Sequence, residues 1–213
     1  MLNNFVSKNK SIVRYVIMGL IGLIILFDFI TLFGTYSNAA GSNAAVTFNF
    51  IASTALLGIL LYCMVANKTD LAKALGFIYI AYYTISTLLG IGSPFSSFYE
   101  TNHGAFVAAA TFMLIANFIF LGVVVMGIMT YLNGKSFGIA VDVMLLAYLF
   151  FNFLAWILYM SGYGVYDYKW TSYMNVTVSR ILKPCLVVIA YVYLNCKDEP
   201  KDEPLEDINP NQD

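Results

Sequence analysis

Charge is what this sequence lacks most. Asp, Glu, Lys and Arg make up 11% of its 213 residues, against roughly 25% in soluble domains, while hydrophobic residues reach 60%. A chain of this length folded in water can bury only part of its surface, so this composition calls for lipid as the solvent. Histidine is nearly absent as well. His103 stands alone, which excludes haem held by paired histidines and His-rich metal centres, and neither a metal nor a cofactor is expected. The cysteines Cys63, Cys185 and Cys196 fall within apolar runs or at their inner ends, and none lies in an expected outer loop, so no structural disulfide is expected. A net charge of −1 gives no basic surplus for nucleic acid.

Catalytic signatures are missing too. The chain has no G-x-S-x-G elbow, no H-E-x-x-H helix, no phosphate-cradling loop and no dinucleotide fingerprint. Tyr166-Asp167 resembles half of an aspartyl-protease pair, but it lies in a break between apolar runs and has no second Gly-x-Gly-Asp. An enzyme is not expected. Arg180-x-x-Lys183 shares the three-residue spacing of voltage-sensor helices; two charges are too few for steep gating, and no selectivity-filter sequence accompanies them.

What is present is a series of long apolar runs separated by short polar breaks. They predict an all-α integral membrane protein, a bundle of six transmembrane helices over residues 12–33, 46–66, 71–91, 105–132, 137–160 and 173–195. Each run is too long for a barrel strand and lacks two-residue alternation. The breaks carry turn chemistry, including Asn38 to Asn43, Gly92-Ser93-Pro94, Asn133-Gly134 and Gly162-Tyr163-Gly164. The first run follows Lys8, Lys10 and Arg14 in the manner of a signal peptide. It is too long for that role, lacks a small-residue cleavage site, and is expected to stay as the first helix.

Basic residues set the expected orientation. With the amino terminus inside, Lys8, Lys10, Arg14, Lys68, Lys73, Lys135, Lys197 and Lys201 are cytoplasmic, and Lys169 alone is outside. Both termini are therefore expected in the cytoplasm, in a multi-pass protein of the plasma (cell) membrane. Tyr36, Phe98, Tyr99, Tyr166, Tyr168 and Trp170 fit an aromatic belt at the outer interface. Residues 197–213, with their repeated Lys-Asp-Glu-Pro and clustered acid, predict a disordered acidic tail. Cys63 and Cys196 lie where reversible acylation would be feasible, although buried structural thiols are the plainer reading.

The informative residues are the charges inside the apolar runs. Asp28 lies roughly 9 Å from the outer end of the first run, counted at about 1.5 Å per residue, and Arg180 and Lys183 lie at comparable depth in the last. A charge near the bilayer centre costs roughly 2.5–3.5 kcal/mol. An ion pair between Asp28 and either Arg180 or Lys183 is therefore expected, joining the first and last helices. Two roles follow. One is a substrate or ion site; the other is a structural staple, with Lys183 snorkelling outward. Two cations against one carboxylate leave positive charge that an anion would satisfy.

Polar residues recur at helical spacing: Tyr173, Thr177, Arg180 and Tyr191 in the last run, Tyr148, Asn152 and Tyr159 in the fifth, Tyr79 and Tyr83 in the third. Converging faces would form a polar path through Tyr83, Tyr148, Asn152 and Thr177. The plainer alternative is that such residues glue helices together. Pro184 is expected to break the helical ladder and free the Arg180 carbonyl. Asp142 suits the start of the fifth helix, whose positive dipole end favours an acid, and a lone loop histidine such as His103 is ordinarily solvated. The functional expectation is a small transporter or permease-like protein, or its membrane-embedded subunit, binding a small solute at Asp28, Arg180 and Lys183 in the outer half of the bilayer. The alternative is a non-transporting structural or accessory subunit of a larger membrane complex. Expected partners are the lipid bilayer, with other membrane subunits or further copies of the chain beside it.

Overall fold

The computed structural model describes residues 6, 8–36, 44–89, 104–133, 138–166 and 170–195. Every regular element among them is helical. In chain order these are α1 (Lys10–Tyr36), α2 (Ala44–Val65), α3 (Thr69–Leu89), α4 (Gly104–Asn133) and α5 (Gly138–Tyr166). The last span is α6 (Trp170–Thr177), a π turn (Val178–Leu182) and α7 (Lys183–Asn195). Five helical stretches are long and apolar enough to cross a membrane: Lys10–Leu32, Thr69–Leu89, Gly104–Thr130, Gly138–Tyr163 and Trp170–Asn195. The apolar stretch Phe50–Val65 of α2 is shorter. The expected acidic tail, His103, Glu100, Asp167 and Lys169 lie outside the described residues.

Each helix turns one stripe inward. In α1 the buried side chains are Val13, Ile17, Ile21 and Ile24, steps of three and four that track one face of a helix. One more step of four reaches Asp28. In α5 the buried stripe runs Val141, Leu145, Tyr148, Asn152 and Ala155, so Asn152 occupies a core position by the same periodicity. The outward faces carry Phe118, Val125, Ile85, Phe150 and Ile157, as expected of helices whose solvent is hydrocarbon. One shared core gathers Ile21 and Ile24 of α1, Leu57 of α2, Tyr79 of α3, Phe120 of α4, Leu145 of α5 and Leu186 of α7.

The most extensive pairing among the described helices is α4 on α5. Ala109, Ala110 and Ala116 of α4 are fully buried, and small side chains let backbones approach, as is common between helices in lipid. The same logic corrects the sequence reading of Gly162. It was expected in the break after 160, yet α5 continues to Tyr166. A Cβ on Gly162 would come within 2.8 Å of Phe106 Cε1 and Cζ, so the glycine makes room for a ring of α4 instead of turning the chain.

Basic residues mark one end of the bundle. Lys10 of α1 lies over the Tyr193 ring of α7, 5.9 Å from its centroid, and Lys68 lies over Tyr62 at 5.6 Å. Between α2 and α3, Asn67 takes φ 56°. Lys68 N–H donates to Cys63 O and Asn67 N–H to Met64 O, the paired bonds that close a helix through one left-handed residue. Arg14 of α1 donates to Met64 O and to Asn67 Oδ1, fastening this helix end to α1.

Candidate functional site

The core stripe of α1 ends in a carboxylate, and the last span must answer it. Asp28 Oδ2 lies 3.0 Å from Lys183 Nζ, and the same ammonium donates to Oδ1 at 3.3 Å. The side chains are 13% and 24% exposed, so this is a shielded pair between the first and last spans. Lys183 falls at the middle of the 26-residue span Trp170–Asn195. Its side chain turns to α1, where it meets Asp28.

Of the two cations expected to compete for Asp28, only Lys183 reaches it. Arg180 makes no ion pair and donates no hydrogen bond among the described residues. In an uninterrupted α-helix of about 3.6 residues per turn, residues three apart lie about 60° from each other and would share a face. The π turn removes that constraint. Pro184 has no N–H, and its ring crowds the carbonyl four residues back. The chain responds by widening: Lys183 N–H donates to Val178 O, five residues back. The helix therefore continues through a turn widened over Val178–Leu182, with Pro184 donating no bond, and Arg180 and Lys183 turn to different neighbours.

Arg180 lies near Tyr83 of α3 and Tyr148 and Tyr159 of α5. Its charge acts on the hydroxyls of Tyr83, Tyr148 and Tyr159. Tyr83 Oη and Tyr148 Oη are 2.8 Å apart and hydrogen-bonded, and Phe120 packs on both rings with centroids 5.5 and 5.2 Å away. Phe106 and Tyr163 extend the aromatic wall beyond Tyr159, and Tyr173 of α6 closes on Tyr163 at 5.4 Å. No family model matches the chain, and neither does any curated protein or solved structure. The reading of the site therefore rests on its geometry.

The expected polar path divides in two. Tyr83 and Tyr148 come together beside Arg180. Asn152 and Thr177 do not join them as open polar lining. Asn152 Nδ2 donates to Tyr148 O one turn back in its own helix. Thr177 Oγ1 donates to Tyr173 O and accepts from Trp156 Nε1 at 3.1 Å, which ties α5 to α6. Sequence reasoning missed Trp156 because an indole in an apolar run carries no signal beyond its size. It also missed Arg14, which it counted only as a cytoplasmic charge. The pairing of Arg14 with Met64 and Asn67 spans about fifty positions of chain, beyond the reach of local pattern.

Proposed function

We propose that the chain is a six-span carrier of small solutes in the plasma membrane, or the solute-binding subunit of one, with both termini cytoplasmic and Arg180 at its binding site in the outer half of the bilayer. The observation that carries this reading is the unequal fate of two cations on one helix. Lys183 has a carboxylate; Arg180, three residues away, has none among the described residues. An intramembrane charge is expensive and calls for a companion, and a solute supplies it. The π turn that contains Arg180 supports the reading, since interrupted helices near the bilayer middle form the binding sites of many carriers. The orientation draws support from Lys10, Arg14 and Lys68, which gather at one end of the bundle and favour the cytoplasmic side.

The test is access. Arg180→Cys, in a chain whose native Cys63, Cys185 and Cys196 are replaced by Ser, should react with a membrane-impermeant maleimide applied from outside intact cells. Arg180→Ala should abolish solute uptake while the protein still inserts at normal abundance. A thiol at 180 sealed from both sides, with Arg180→Ala lowering only abundance, would overturn the carrier reading. A specific observation then favours the accessory alternative: Tyr83, Tyr148, Asn152 and Trp156 already find partners within the protein, as residues that glue helices do.

A further inference from the structure

Building on the reading of Arg180 as a solute site, we infer that the group it takes is an oxyanion carrying a single negative charge, joined to an apolar or aromatic body. Charge balance fixes the first half. Among the described residues the charged side chains near mid-span are Asp28, Lys183 and Arg180; the first two neutralise each other at 3.0 Å, and one positive charge is left over. A monoanion restores neutrality, whereas a dianion would leave a negative charge in a medium that penalises it.

The hydrogen-bonding inventory points the same way. The guanidinium offers five N–H donors in a planar fork and no acceptor. The Tyr83–Tyr148 pair holds two hydroxyl protons and uses one between its oxygens, so one O–H is left to donate. The Tyr159 hydroxyl, also within the field of Arg180, makes no hydrogen bond among the described residues. The region is rich in donors, and its one carboxylate is occupied by Lys183. An ammonium would add to the positive charge of Arg180 and find only neutral hydroxyl oxygens to accept from it; a carboxylate, or the phosphodiester of a lipid headgroup, balances that charge and accepts from these donors. The rings of Phe106, Tyr159 and Tyr163, packed at tilted angles with centroids 5.5 to 5.9 Å apart, give the body of such a ligand an apolar wall.

Trp156 provides a reporter, because its indole is bonded to Thr177, three residues from Arg180. The chain has two tryptophans, and Trp170 is exposed at the start of α6, so Trp170→Phe leaves Trp156 as the single indole. This full-length variant, in phosphatidylcholine nanodiscs at pH 7.5, would be titrated with benzoate, benzamide, benzylamine and phenylphosphate while Trp156 emission is followed. Benzoate should give a saturable change. Benzamide and benzylamine should bind at least about 10-fold more weakly, as expected when a charged hydrogen bond is lost. Phenylphosphate, close to a dianion at this pH, should bind more weakly than benzoate and tighten as pH falls below about 6, where it becomes a monoanion. Arg180→Gln should weaken benzoate by about 10- to 100-fold, and Arg180→Lys by less. Thermal unfolding of both variants in the same nanodiscs separates a lost site from a lost fold.

Nanodiscs containing phosphatidylglycerol distinguish the two sources of such an anion. If they abolish the benzoate response of the unsubstituted site but not of Arg180→Gln, the monoanion is a lipid headgroup; the inference then stands and the carrier reading falls. Benzamide or benzylamine binding as tightly as benzoate, with or without Arg180, would overturn the inference and leave a solute site of other chemistry. Phenylphosphate binding more tightly than benzoate at pH 7.5 would overturn the single-charge assignment. Silence from every probe in both kinds of nanodisc would overturn the inference and the carrier reading together.

Discussion

The Asp28–Lys183 pair allows a quantitative test of how the first and last spans are held. At 3.0 Å and an effective dielectric of about 20, two unit charges attract by roughly 5 kcal/mol. Desolvation takes back a share of this, so the net coupling is expected at about 2–4 kcal/mol. Removing one partner leaves the other charge shielded from water and unpaired, which makes each single variant costly. Asp28→Asn and Lys183→Met should each destabilise the folded protein by about 2–4 kcal/mol, whereas the double variant should cost much less than their sum, because no orphaned charge remains. Reversible unfolding in mixed micelles, followed by Trp fluorescence across the four proteins of the cycle, measures the coupling directly. Costs that add to within about 0.5 kcal/mol would refute the pairing and the geometry built on it.

Three further outcomes follow from single contacts. Gly162→Ala should lower the unfolding midpoint by the equivalent of about 1–3 kcal/mol, the usual cost of overpacking, and Phe106→Leu should relieve much of it, since the clash is with the Phe106 ring. Tyr148→Phe strands the Tyr83 hydroxyl and should cost about 1–3 kcal/mol, with Tyr83→Phe added to it recovering part of the loss. Asn67→Val should destabilise by about 1–2 kcal/mol in the same unfolding assay, because a β-branched residue resists positive φ, whereas Asn67→Gly should lose only the Arg14 contact.

Much of the helical architecture is written in composition and period. Long apolar runs need helices in lipid, and the three-and-four spacing of Ile17, Ile21, Ile24 and Asp28 already puts the carboxylate on the inward face of α1. What period alone does not reveal is where a helix departs from its own period. Arg180 and Lys183 looked equivalent as partners for Asp28, because an α-helix puts residues three apart on one face; only the widened turn before Pro184 separates them. Gly162 carried the opposite trap. Glycine signals turns in polar breaks and close packing in apolar ones, and the deciding fact is the Phe106 ring, some fifty residues away in sequence. The Tyr83–Tyr148 contact was legible as two stripes on separate helices, but the sequence could not say that those stripes face each other while Asn152 turns its amide back to its own helix.

The separation of the two cations is itself the work of one residue, and this can be tested. Pro184 supplies the crowding that a regular α-turn cannot accommodate, and Lys183 N–H bonds Val178 O in the wider turn that results. Pro184→Ala restores an N–H and removes the ring, so the segment should relax to the ordinary four-residue bond. Arg180 and Lys183 then come back to one face and compete for a single carboxylate. In the Pro184→Ala background the Asp28–Lys183 coupling should fall by about half, and a coupling between Asp28 and Arg180 of similar size should appear where the parent protein has none, both read from the same unfolding cycles. If Asp28 keeps its full coupling to Lys183 without the proline, the helix must be held open by its neighbours in α1 and α5, and the surplus positive charge at Arg180 would be a property of the whole bundle, not of one ring in its last span.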